Sequence, residues 1–151
     1  MAEDSVVELT PEEAARLASV EGSADALSAL IEDLSSSSRR TRQLAARVVN
    51  LLAQRDPALL VPCIEQLIDA LYRPEAQTRW EILDALTLLA PEHAKECGAA
   101  YEGAESALFD EISAPLRLSA FRFLTVWGVR SAVVPRRSGP IIDRGDPVLP
   151  R

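Results

Sequence analysis

A repeat of 37 to 38 residues constrains this chain more than any other feature, because self-similarity at that period defines a helical-repeat architecture. Arg42, Arg79 and Arg117 each open an apolar pattern of helical period, at offsets of 37 and 38. The same offsets align Val49 with Leu86 and Leu124, Leu51 with Leu88 and Val126, and Leu52 with Leu89 and Trp127. Ala53, Ala90 and Gly128 then fall together at the element's end. Half a unit later a second element repeats. Ile64, Leu67, Ile68 and Leu71 form an i, i+3, i+4, i+7 stripe, the mark of an amphipathic helix. Leu27, Leu30, Ile31 and Leu34 keep that spacing 37 residues earlier, and Tyr101, Ala104, Glu105 and Leu108 form a weaker copy 37 residues later. The unit is two helices, present as two full copies with partial ones at both ends.

The punctuation agrees. Thr10-Pro11-Glu12-Glu13 spells a capping box with proline at the first helical position. Asp56-Pro57 is read as the same device between the two helices of one unit, and Gly22-Ser23 as the end of one helix and the cap of the next. Ser35-Ser36-Ser37-Ser38 reads as a solvated turn. Alternating runs bounded by Asn-Gly or Asp-Gly are missing from the sequence, which argues against strands. With 48 % apolar and 26 % charged residues, few aromatics and much Ala and Leu, the composition is globular and favours helix. The expected fold is all-α, a short α-α superhelix of stacked antiparallel helix pairs. Its boundaries are a disordered stretch over 1–9, repeats over 10–34, 38–71, 75–108 and 113–128, and an irregular or disordered basic tail over 129–151.

Thr41-Arg42 through Leu52-Ala53, then Asp56-Pro57, Pro62 and the stripe to Leu71, resemble a HEAT-type repeat. The pattern recurs as Thr78-Arg79-Trp80 through Leu89-Ala90-Pro91, and the resemblance spans roughly 24–128. It implies an extended curved surface and a scaffold or adaptor role. The tetratricopeptide alternative needs about 34 residues per unit and its own Trp, Gly and Tyr pattern, which is absent from the sequence. Stacked units would bring Arg42, Arg79 and Arg117 into a ladder, with Asp33, Asp69 and Asp110 as expected acidic partners.

Charge narrows the function. Residues 1–37 hold nine acids and one Arg, residues 38–128 twelve acids and ten bases, and residues 129–151 two acids and five Arg. An acidic head and a balanced middle speak against a nucleic-acid domain, where basic charge dominates the structured part. Arg39, Arg40, Arg42 and Arg47 nevertheless form a basic cluster, and nucleic-acid binding through Arg39–Arg47 is kept as the alternative. No apolar run approaches the roughly 20 residues that span a bilayer, so a cytoplasmic protein without membrane contact is expected. Cys63 and Cys97 match no zinc spacing and are read as buried free thiols, and His93 as a surface residue. Gly98 and Gly103 read as helix breakers. No acidic pair stands in an apolar setting that would raise a pKa. The expectation is therefore a non-enzymatic protein-binding module with no catalytic residue, cofactor or metal.

The candidate partner surface is Arg39, Arg42, Arg47, Arg79, Trp80 and Asp84. Trp80 departs from Gln43 and Leu118 at its repeat position, so packing does not demand an aromatic there. A half-exposed Trp beside Arg79 has the composition of an interface hot spot. Asp84 has Arg47 and Arg122 as equivalents and is expected on an outward face. The pattern fails at the C-terminus, where four prolines and two glycines follow Val129. Two readings of that break stay open, a natural tail or a fault of reading frame or gene model near Val129. A natural tail leaves the aromatic helix from Leu116 partly bare and open to self-association, whereas a frame fault implies a native chain that continues as helix.

Overall fold

The computed structural model describes residues 8–133, and all regular structure among them is helical. The α-helices are α1 (Pro11–Glu21), α2 (Ala24–Asp33), α3 (Arg39–Arg55), α4 (Ile64–Asp69), α5 (Ala76–Leu89), α6 (Ala94–Cys97), α7 (Tyr101–Leu108) and α8 (Ala114–Val133). Short 3₁₀ segments, Pro57–Cys63, Ala70–Tyr72 and Gly98–Ala100, extend the second helix of each later pair.

Local chemistry sets these boundaries. The Thr10 hydroxyl accepts from the Glu13 amide at 3.0 Å while the Glu13 carboxylate accepts from the Thr10 amide at 3.1 Å, the expected capping box. Ser23 caps α2 and Ser38 caps α3 in the same way, each at 3.2 Å. The Asp56 side chain makes no cap bond, contrary to the reading of Asp56-Pro57; Pro57 alone opens the 3₁₀ segment there. That segment contains Pro62, which lacks the amide an α-helix would use, so the tighter turn replaces a longer α4.

Two boundaries differ from the sequence reading. Leu9, assigned to a disordered end, is half-buried against the core. Helix α8 runs to Val133 rather than stopping at Gly128, because Val129-Arg130-Ser131-Ala132-Val133 contains no breaker. The Arg130 guanidinium also donates to the Pro91 carbonyl at 2.9 Å, tying that last stretch back to the turn after α5. The remainder of the expected irregular tail, 134–151, lies outside the described residues, as do 1–7.

Packing follows the order of the units. Helix α3 lies against α5, α5 against α8, and α1 against both α2 and α3. A single apolar cluster runs from Leu17 to Phe123 through Leu30, Leu52, Leu67, Ile82 and Leu86. The stripes on α2 and α4 point inward as expected, with Leu30, Ile31, Leu34, Ile64, Leu67 and Leu71 buried. On α7 the inward face is instead Gly103, Ala104 and Ala107, while Tyr101 is exposed and Leu108 half-buried. Gly103 is a packing residue inside the helix and not a breaker. A Cβ there would lie 3.0 Å from both Cβ and Cδ1 of Leu71, so the two backbones meet only because that atom is missing.

Candidate functional site: the polar face of the first helices

Helices α3, α5 and α8 open each unit, and their charged residues sort onto two different sides. On one side lies the arginine ladder. The Arg42 guanidinium donates through Nε and Nη2 to both oxygens of Glu75, each at 2.7 Å, and through Nη1 to the Ser36 carbonyl at 2.9 Å. Glu75 is buried at the N-cap of α5 and also accepts from the Thr78 hydroxyl at 2.8 Å. The Arg42 fork holds its carboxyl down, to a pKa of about 2, against the opposing effect of burial. Arg79 stands 3.9 Å from Asp110, and Arg117 donates to the Asp110 carbonyl at 2.9 Å. Arg42 thus joins α3 to α5, and Arg79 joins α5 to the turn that leads into α8, with 13 % and 16 % of their side chains exposed. They are poorly placed as partner contacts. Of the three expected acids, Asp110 serves Arg79, whereas Asp33 pairs with Arg16 and Asp69 with Arg73.

On the other side, α1, α3 and α5 border a polar cleft of about 240 Å³ lined by Glu12, Glu13, Arg40, Gln43, Arg47 and Gln77, among others. Arg47 bridges its two walls, 3.7 Å from Glu13 of α1 and 3.9 Å from Glu81 of α5. Glu81 is 5 % exposed and accepts from the Asn50 amide at 2.8 Å, and Asn50 in turn accepts from Gln54 at 3.3 Å. Burial pushes the Glu81 carboxyl above its ordinary value; Asn50, Arg47 and Gln77 oppose that rise and Asp84 adds to it. A buried acid with a raised pKa therefore exists, contrary to the sequence reading. Nothing in the residue pattern marks it, since its repeat equivalents are Leu44 and Ser119.

Asp84 does not face outward. It is half-buried, accepts a hydrogen bond from Ser119 and faces Arg122 on α8, and burial again lifts its carboxyl. Trp80 is half-buried and packs on the core edge, one turn before Asp84 on the same face of α5. The structure thus places Arg47, Trp80 and Asp84 along one polar strip with Gln77 and Glu81. Arg39 is exposed at the start of α3, away from the buried pairs. The basic cluster is largely neutralised: Glu12 holds Arg40 at 2.8 Å, Glu75 holds Arg42, and Glu13 and Glu81 flank Arg47.

Other reactive groups are quiet. Cys97 is fully buried, its thiol pushed up to about 11 by desolvation and Glu96, and burial also raises the half-buried Cys63. Neither is a thiolate at neutral pH. His93 is half-buried, 3.9 Å from Glu96. Among the described residues no three His, Cys, Asp or Glu side chains gather as metal ligands, and no helix is long and apolar enough to cross a membrane. Compared with protein-family models, curated proteins and solved structures, the chain matches none.

The buried carboxyl gives a testable pH signature. Glu81 titrates higher folded than unfolded, so the folded chain binds the extra proton, and stability rises as pH falls through that interval. Gln mimics the protonated acid and keeps an oxygen for Asn50. Glu81→Gln should therefore gain stability over the native chain at pH 7, and that advantage should shrink by pH 5. Urea unfolding at both values reads it; parallel pH profiles would refute the assignment.

Proposed function

We propose that the chain is a HEAT-like helical-repeat module, a short superhelix of stacked helix pairs, that binds another protein as an adaptor or scaffold and performs no chemistry. The supporting observation is the succession α3, α5, α8, in which an arginine one turn into one helix reaches an acid at or shortly before the start of the next, Arg42 to Glu75 at the N-cap of α5 and Arg79 to Asp110 in the turn that leads into α8. Units that repeat their junctions in this way stack into a continuous core and present one extended face. The strip of Arg47, Trp80 and Asp84 is the part of that face with a large aromatic among charges, the composition from which interface hot spots are drawn.

The test uses the full chain as bait and the protein it retains as ligand. Trp80→Ala should weaken binding by about 1 kcal/mol or more in calorimetry, with the helical circular dichroism signal and melting point kept. Unchanged affinity would remove Trp80 from the interface, and unfolding would reassign it to the core. Nucleic-acid binding has less support, because carboxylates occupy three of the four arginines between 39 and 47. Retention of mixed-sequence oligonucleotides at low salt would reverse that preference.

A further inference from the structure

The register that aligns Arg42, Arg79 and Arg117 also aligns the stripe below each of them. Arg42 is followed by Ala46, Val49 and Ala53, Arg79 by Leu83, Leu86 and Ala90, and Arg117 by Phe121, Leu124 and Gly128. On α3 and α5 every apolar member of that stripe is buried, at 1 % exposure or less. On α8 Phe121 is 58 % exposed and its neighbour Leu118 48 %, while Leu124, packed on the core edge, and Gly128 are half-buried. The side that the next helix covers fully on α3 and α5 is only partly covered on α8.

The charges on α8 repeat those of α3. Arg117 and Arg122 occupy the positions of Arg42 and Arg47. Both helices start alike, Ser113 accepting from the Leu116 amide at 3.2 Å as Ser38 does from Thr41. Arg117 also copies the anchoring of Arg42: each gives Nη1 to a carbonyl of the preceding turn at 2.9 Å, Ser36 for Arg42 and Asp110 for Arg117. On Arg42 the other edge of the guanidinium grips Glu75. On Arg117 the Nε and Nη2 edge meets no hydrogen-bond acceptor among the described residues. A fixed guanidinium with an open edge, beside a partly bare apolar stripe, is one half of a junction whose other half is complete between α3 and α5.

We propose that this face of α8 is a docking site for an acidic amphipathic helix of a partner protein. The helix resembles α5 in its essentials, with one carboxylate at its N-cap to close on Arg117 and a second six residues later near Arg122, as Glu75 and Glu81 serve Arg42 and Arg47. Its apolar side covers Phe121 and Leu124. Charge complementarity selects this occupant over a second copy: α8 carries Arg117, Arg122 and Arg130 and no acid, so two such faces oppose like charges. The site meets the Trp80 strip only at Arg122, which faces Asp84, and variants at Arg117 and Phe121 test it without touching that strip.

A labelled synthetic peptide of residues 74–91 is the probe, titrated into the full chain and followed by fluorescence anisotropy. Saturable binding is expected, weakened about tenfold or more by Arg117→Gln in the chain, or by Gln at both glutamates of the peptide. Phe121→Ser should weaken it as much, and because Phe121 is exposed, the melting point should be kept. Absence of binding, or equal binding of the Gln peptide, overturns the proposal. A chain that dimerises at tens of micromolar, and becomes monomeric on Phe121→Ser, would assign the face to a second copy. Binding that appears only after Asp143→Asn and Asp146→Asn would assign it to the chain's own C-terminal residues.

Discussion

Leu86→Ala should lower the free energy of unfolding by about 2–5 kcal/mol, the range for truncating a buried leucine. Leu86 has no exposed surface and sits in the last turn of α5, the helix that touches both α3 and α8. The cavity left by the three lost carbons is enclosed on both sides, so the neighbours have little room to collapse into it. Denaturant unfolding measures the loss, and Leu67→Ala, equally buried at the centre of α4, should fall in the same range. A loss under about 1 kcal/mol at both positions would mean that the inward faces of these helices are wrongly assigned.

Phe123→Ala should cost about 3–5 kcal/mol, but in a different place. Phe123 is fully buried on α8, its ring 6.4 Å from that of Trp127 and nearly parallel to it. Trp127 in turn donates its indole N–H to the Ala94 carbonyl at 2.9 Å, so the pair clamps α8 onto the first turn of α6. Helix α8 packs chiefly on α5, α6 and α7, with Arg130 also tied to the turn after α5. The loss should therefore appear as local opening. Amide exchange in α8 should accelerate strongly while the amides of α3 keep their protection. Uniform acceleration across α3, α5 and α8 would show that the chain opens only as a whole.

The parts legible in the sequence are those decided by residues close together along it. The stripes of α2 and α4 and the Thr10 and Ser23 caps depend on neighbours within a turn or two, and they stand as read. The site depends on what lies across a helix junction. Glu81 looks like any surface glutamate on the helical lattice, and only the approach of α3, bringing Asn50 and Arg47, makes it a buried acid. Arg42 and Arg79 read as surface candidates for the same reason, until Glu75 and Asp110 cover them. A varying charge at the repeat position of Asp84 suggests solvent, whereas the sign alternates to suit the facing residue: Arg122 faces Asp84, and Glu81 faces Arg47. Pro135 and its successors suggest an end to α8 at Gly128, but the unbroken stretch before them carries the helix five residues further, to Val133.

The two longest-range side-chain hydrogen bonds among the described residues, Arg73 to the Leu34 carbonyl and Arg130 to the Pro91 carbonyl, each join positions 39 apart. Among the described residues these bonds never join distant parts of the chain, so the entropy of closing the loops they need stays low. Folding should be fast for a chain of this length and should not wait for the last residue. On a ribosome, α3 can find its complement as soon as α5 emerges, and α5 as soon as α8 does. The same locality means that a chain cut short after α5 would lose the contacts of α8 and keep the Arg42–Glu75 and Asn50–Glu81 pairs. Birth order and breakdown order would then mirror each other, with the last helix made being the first to leave.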